Sequence, residues 1–262
     1  MDRSPLPRAS SPLRSPGCAG GRPTRAALLL ATSLGLLLLL LVQAGCSAGP
    51  QPTAPPATGP VPRPRVLIFG DSYTAGHGAT PETQGYAYRV GRPLGWDVTV
   101  DGVGGTGYLA VGTNGRNLGT YRTRLAAAPP GPFDVVVLQG SSNDEREPID
   151  ALPGALASTV PAFRARYPGA RIVMMGPVPT FGPPVATKLA VNDVLKSYAA
   201  ADGISFIDPI AGSWFGPGEW RRLTNPADGH PNNAGYGRIC DRFVIDATRL
   251  GLGVRPGGGS AQ

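Results

Sequence analysis

Residues 65–76 read RVLIFGDSYTAG. The first five, Arg65 to Phe69, make a short run that is apolar on both faces, as a strand buried inside a parallel sheet is. The run breaks at Gly70-Asp71-Ser72, three residues that pack little and form turns well. A plain turn is one reading of that break. The other is a turn that displays Ser72 as a nucleophile at the carboxyl end of the first strand. What stands at the other strand ends decides between them.

Strand-like runs recur at 65–69, 97–100, 133–138, 171–175 and 204–207. Helix-like stretches lie between and after them, at 82–92, 116–127, 150–166, 185–201 and 232–249. In the fourth stretch Val185, Leu189, Val191, Val194, Leu195 and Tyr198 form an apolar stripe near 3.6-residue spacing, with Lys188, Asn192 and Lys196 expected away from it. Regular alternation of strand and helix predicts a three-layer α/β/α sandwich around a five-stranded parallel sheet. Ligands in such folds bind at the carboxyl ends of the strands. The polar departures of this sequence fall there. Gly-Asp-Ser follows the first strand, a Gly-rich turn (102–107) the second, and Gln139-Gly-Ser-Ser-Asn-Asp144 the third, while Asp228-Gly-His-Pro231 precedes the last helix.

A serine nucleophile needs a base, and the chain has two histidines, His77 and His230. His77 lies in a Gly-flanked loop five residues after Ser72. His230 is placed on the same rim as Ser72, at the last connection into a helix. Asp228, two residues before it, supplies a carboxylate that can orient an imidazole and stabilise its cation. Taken alone, Asp-Gly-His-Pro-Asn also reads as a turn with a helix N-cap at Asn232. Asp71 and Asp144, beside Ser72 and Asn143, read as turn formers bonded to nearby backbone N–H groups. Trp214, Phe215 and Trp220 lie in the long loop before His230 and are expected to line a substrate pocket, with Phe181 as a facing wall.

Gly102-Val-Gly-Gly-Thr-Gly107 is formally a dinucleotide-binding pattern. No helix opens cleanly after it, and no acidic residue stands about 20 residues on, where Leu125 to Ala128 lie, so nucleotide binding is rejected. The GxSxG elbow is absent, because Thr74 takes the second Gly position, and HExxH is absent too. Neither a metal nor a cofactor is expected.

Four elements in this order, GDSYTAG, the Gly turn after strand two, SSND after strand three and DGHPN before the last helix, resemble the SGNH (GDSL) hydrolase family over residues 65 to about 249. The resemblance implies a flavodoxin-like fold and an esterase with Ser72 as nucleophile, His230 as base and Asp228 orienting it. It implies an oxyanion hole of the Ser72 N–H, the Gly105 N–H (with Gly104 in reserve) and the Asn143 side chain. The sequence departs from the family pattern at three places. Ala227 stands where the family has its acid three residues before the His, which keeps Asp208 open as an alternative. Ser141 stands where Gly is usual, and the second-motif Gly is ambiguous. The expected reaction is hydrolysis of carboxylic esters, of acyl lipids or O-acetylated glycans. Acyl transfer and a non-catalytic glycan-binding module are the alternative uses of such a fold.

The N-terminus carries five Arg before an uncharged run of 17 residues, Ala26–Val42, and then Ala44-Gly45-Cys46. A basic segment, an apolar segment and small residues before a cut site describe an export signal. Cys46 resembles the lipidated Cys of a bacterial lipobox, with Gln43 where Leu is usual. An uncleaved anchor and ordinary secretion are the rival readings; all three put the domain outside the cytoplasm, held by the membrane in the first two. Residues 47–64 are Pro-rich and nearly uncharged and read as an extended tether; 65–250 form the catalytic domain and 251–262 a Gly-rich tail. Removing residues 1–46 from the +7 chain leaves 19 basic and 16 acidic residues. That balance, without a basic stripe and interleaved aromatics, excludes a nucleic-acid footprint. Cys240 is then the domain's single cysteine and forms no intramolecular disulfide; an apolar-periodic setting predicts a packing role.

Overall fold

The structure, a computed structural model, describes residues 62–180 and 184–253. The export signal, Cys46, most of the tether, Phe181 and the end of the tail lie outside the described residues. Among the described residues no helix is long and apolar enough to cross a membrane.

The chain order is β1 (Arg65–Gly70), α1 (Ser72–Ala75), α2 (Tyr86–Arg89), α3 (Gly91–Leu94), β2 (Asp97–Gly102), α4 (Tyr121–Arg124), β3 (Val135–Gln139), α5 (Leu152–Arg166), β4 (Arg171–Met175), α6 (Ala186–Ala201), β5 (Ser205–Ile207), α7 (Trp220–Leu223) and α8 (Asn233–Arg249). The five strands are all parallel and lie in the order β2-β1-β3-β4-β5. Alternate side chains of each strand feed opposite faces. Val66, Ile68, Val137 and Val173 pack under α2, α3 and α8, through Tyr86, Leu94, Ile239 and Phe243. Leu67, Phe69, Val136 and Leu138 pack under α4, α5 and α6, through Tyr121, Leu156, Phe163 and Leu195. This is the expected three-layer sandwich. The strand order reverses between β1 and its neighbours β2 and β3, so the crevice of the fold lies at the carboxyl end of β1, where Gly-Asp-Ser stands.

The helices depart from the periodicity reading in three places. Residues 82–92 form a 3-10 turn (Glu82–Gln84) and then α2 and α3, because Gly85 is extended and Gly91-Arg-Pro restarts the helix. Of 116–127 only Tyr121 onward is helical, where Thr120 Oγ1 accepts the Thr123 N–H as a cap. In α6 the apolar stripe is not the buried face throughout. Lys188 and Asn192 are buried while Val185 and Leu189 are exposed. The reason is polar pairing: Lys188 Nζ bonds Ser142 Oγ at 2.8 Å and pairs with Glu145, and Asn192 Nδ2 bonds Asp208. Cys240 is buried in the core cluster under α8.

Candidate active site

The turn after β1 is held from below. Asp71 Oδ1 accepts the Tyr73 N–H at 2.9 Å and caps the single turn α1. Gln139, at the end of β3, accepts the Asp71 N–H and the Thr74 hydroxyl on Oε1, which ties the first and third strand ends together. Burial raises the Asp71 carboxyl to about 6, against the opposing pull of its Tyr73 and Gln139 hydrogen bonds. As the first residue of α1, Ser72 has a backbone N–H with no intrahelical acceptor. Behind the turn, Arg124 from α4 donates to Gly70 O and Thr106 Oγ1, each at 2.8 Å, and pairs with Asp101 at 2.5 Å. Its guanidinium also stacks 4.2 Å from the Phe69 ring centroid. One buried cation thus clamps the ends of β1 and β2.

His230 arrives from the far end of the chain. Asn232 caps α8 by accepting the N–H groups of Ala234 and Gly235. Asn233 exchanges two bonds with the Thr80 backbone, each 2.8 Å, and Asn225 Nδ2 donates to Gly78 O at 2.9 Å. Tyr236 OH donates to His77 O at 2.8 Å. These bonds fasten the 225–236 segment onto the loop after Ser72. The result is His230 Nε2 at 2.9 Å from Ser72 Oγ.

The short Asp–His spacing has a structural answer. Gly229 lies at φ +69°, in the left-handed region, and folds the chain back between its neighbours. Asp228 Oδ1 accepts the His230 backbone N–H at 3.0 Å, and Oδ2 stands 3.5 Å from His230 Nδ1. His230 Nδ1 is buried and has no closer acceptor among the described residues. Burial lowers the His230 pKa, Asp228 pulls it up, and His77 pushes it down; the two imidazole centroids are 5.4 Å apart. Asp208 is elsewhere. It caps its own turn at Ala211 N and bonds Lys196 and Asn192.

The Gly turn and the SSND loop form the opposite wall. A Cβ at Gly104 would stand 3.5 Å from Ser72 Cβ, while Gly105 is turned towards Thr113; both line the cavity that holds Ser72. Neither N–H donates to an acceptor among the described residues. Asn143 Nδ2 gives one hydrogen to Thr106 O at 3.0 Å and keeps the other. Asp144 does not bond nearby backbone, as a turn former does. Its carboxylate accepts the N–H groups of Tyr108, Leu109 and Ala110, more than thirty residues away, at 3.0, 2.9 and 2.9 Å. Gly107 has no Cβ to stand in its way: one there would come within 2.3 Å of Asp144 Oδ1.

Two cavities open on Ser72, His230 and Asn143. The larger, about 610 Å³, reaches past Gly104 and Gly105 to His77, Arg116 and Arg146; the smaller, about 470 Å³, runs between Tyr73, Asp228, Val185 and Lys188. The three aromatics expected in the pocket are not in either. Trp214 is a core residue with no exposed surface, its Nε1 bonded to Asp246. Its indole is large enough to fill the space under α8. Phe215 and Trp220 line a third cavity, with Pro179 and Pro184, that does not include Ser72 or His230. The places expected for these aromatics are taken in the larger cavity by His77, Arg116 and Arg146, whose sequence spacing does not distinguish them from surface side chains.

A family model described as the GDSL-like lipase/acylhydrolase family matches residues 68–238. A GDSL lipase of Mycobacterium tuberculosis is 32% identical over 192 residues, covering 68% of this chain and 79% of that one. Among solved structures, a carbohydrate acetylesterase from Sinorhizobium meliloti superposes with a TM-score of 0.56 at 18% identity, over 72% of this chain and 100% of that one. A family 2 carbohydrate esterase with a carbohydrate-binding domain, from Corynascus thermopiles, does so with a TM-score of 0.56 at 20% identity, over 76% of this chain and 69% of that one. The chain belongs to the GDSL-like lipase/acylhydrolase family and is a serine esterase.

Proposed function

We propose that the protein hydrolyses carboxylic esters by an acyl-enzyme mechanism carried by Ser72, His230 and Asp228. The observation that carries this reading is the 2.9 Å contact between Ser72 Oγ and His230 Nε2 at the mouth of a 610 Å³ cavity. His230 Nε2 takes the Ser72 proton as Oγ attacks the ester carbonyl carbon. The tetrahedral oxyanion is held by the N–H groups of Ser72 and Gly105 and by the free hydrogen of Asn143 Nδ2. The C–O bond then breaks, and the alcohol leaves with the proton from His230. Water attacks the acyl carbon, His230 takes the water's proton, and the acid departs as the proton returns to Ser72 Oγ. Asp228 stabilises the imidazolium formed in both halves; its 3.5 Å separation from Nδ1 shortens when that cation forms.

The substrates are esters of acyl lipids or O-acetylated glycans. The lipase among the relatives and the carbohydrate acetylesterase among the similar structures support those two classes respectively. The protein is exported and lipidated at Cys46, with residues 47–64 holding the domain off the membrane. Support for this is the sequence of a basic segment, an apolar run and Ala-Gly-Cys at residues 1–46. Hydrolysis of short and medium 4-nitrophenyl esters, with Ser72→Ala and His230→Ala alongside, tests the mechanism. Turnover abolished by both substitutions is expected, and turnover surviving Ser72→Ala overturns it. Metabolic labelling with a fatty-acid probe, lost in Cys46→Ala, tests the anchor.

A further inference from the structure

The two cavities that open on Ser72 differ in charge. In the smaller one, which Arg146 also lines, the two cations Lys188 and Arg146 are matched by two carboxylates, Glu145, paired with Lys188 Nζ, and Asp228, which faces His230. The larger one has two guanidinium groups, Arg116 and Arg146, and neither makes an ion pair or a hydrogen bond with a described residue. Its one carboxylate among the described residues, Glu82, stands 3.3 Å from His77 Nδ1. The rest of the wall is neutral, including Gly104, Leu118 and Asn143. A single unpaired surface Arg is ordinarily a solvated side chain. Here two come to the same cavity, on loops separated in sequence by β3 and bonded to each other through Asp144 and Asn143. Arg is the side chain that grips carboxylate and phosphate oxygens through two parallel N–H bonds, and an excess of positive charge in a cleft concentrates anions.

We infer that the larger cavity is an anion subsite and that the enzyme selects esters carrying a negatively charged group, held by Arg116 and Arg146. This rests on the esterase reading of Ser72 and adds the substrate's charge to it. The anion sits on the acyl part or on the alcohol part of the ester, and two probe pairs separate these. Mono-4-nitrophenyl glutarate against 4-nitrophenyl pentanoate puts the charge on the acyl side. For the alcohol side the pair is 4-acetoxybenzoate against 4-acetoxybenzamide.

In one pair the anionic ester is expected to show kcat/KM about tenfold above its neutral counterpart. The ratio falls to about one in Arg116→Ala/Arg146→Ala, below one in Arg146→Glu, and shrinks in high salt. A wild-type ratio of one or less in both pairs overturns the inference, as does a ratio that the double substitution leaves in place. Calorimetry of mono-4-nitrophenyl glutarate and 4-acetoxybenzoate binding to Ser72→Ala reads the subsite without turnover. Binding of one of them, weakened about tenfold by the added Arg substitutions, supports the subsite even if hydrolysis itself is absent. Binding of neither, or binding insensitive to both Arg, rejects it even if neutral esters are turned over.

Discussion

Asp144 anchors the wall that carries Asn143, and its removal should be felt as lost stability before it is felt as lost chemistry. The carboxylate accepts three backbone N–H bonds, two on Oδ1 (Leu109, Ala110) and one on Oδ2 (Tyr108). In Asp144→Ala all three donors lose their acceptor. Tyr108 and Ala110 are buried, and each unpaired N–H costs about 1–3 kcal/mol; the Leu109 N–H is partly reached by water and costs less. Against this, burial already disfavours the Asp144 charge and raises its pKa, so deleting the carboxylate relieves part of a desolvation penalty. The net expectation is a loss of about 2–4 kcal/mol, a large share of the roughly 5–15 kcal/mol that holds a domain folded. Asp144→Asn keeps the Oδ1 pair if its amide oxygen takes that position, and sets an NH2 group against the Tyr108 N–H, so it should cost about 1–2 kcal/mol. Urea unfolding followed by tryptophan fluorescence reads both. A loss below about 0.5 kcal/mol for Asp144→Ala, or an Asn variant as damaged as the Ala variant, refutes the reasoning.

Four further outcomes follow. The acid limb of the kcat/KM profile should lie below the ordinary His value of 6.5, because burial lowers the His230 pKa and keeps the base neutral to lower pH. Asp228→Asn removes an upward pull and moves that limb to lower pH while reducing the rate, and His77→Gln removes a downward push and moves it higher; limbs that move the opposite way contradict the electrostatic account. Asn143→Ala should lower kcat about 10²–10³-fold with unfolding stability changed far less than by Asp144→Ala. Lys188→Met leaves the partly buried Glu145 carboxylate without its cation and should destabilise by about 1–3 kcal/mol, measured by urea unfolding, with Lys188→Met/Glu145→Leu recovering much of the loss.

The sheet is legible in the sequence because its strands are short, apolar runs whose burial needs no partner information. Residues 65–69 and 171–175 read the same in sequence and structure within one residue. The polar groups at the strand ends are legible for the related reason that a parallel sheet gathers them on one rim. Periodicity misplaces the face of α6 because burial there follows ion pairing. Lys188 goes inside to reach Glu145 and Ser142, a contact across more than forty residues that no periodicity encodes. Asp144 escapes a local reading in the same way, as its acceptor role depends on residues 108–110 folding over it. The loop position of Trp214 points to the pocket, yet one aromatic in a loop is as free to turn inward as outward, and Asp246 on α8 gives its N–H an acceptor there. The nearness of His230 to Ser72 rests on the Asn233–Thr80 and Asn225–Gly78 bonds, which no local pattern in the sequence announces.

The central claim is that His230 activates Ser72. Its most direct test is covalent: the purified protein is treated with a fluorophosphonate, and the modified residue is located by mass spectrometry. One adduct per chain on Ser72 is predicted, formed far more slowly in His230→Ala and absent in Ser72→Ala. An adduct on another residue, or labelling of Ser72 at an undiminished rate without His230, would contradict the account.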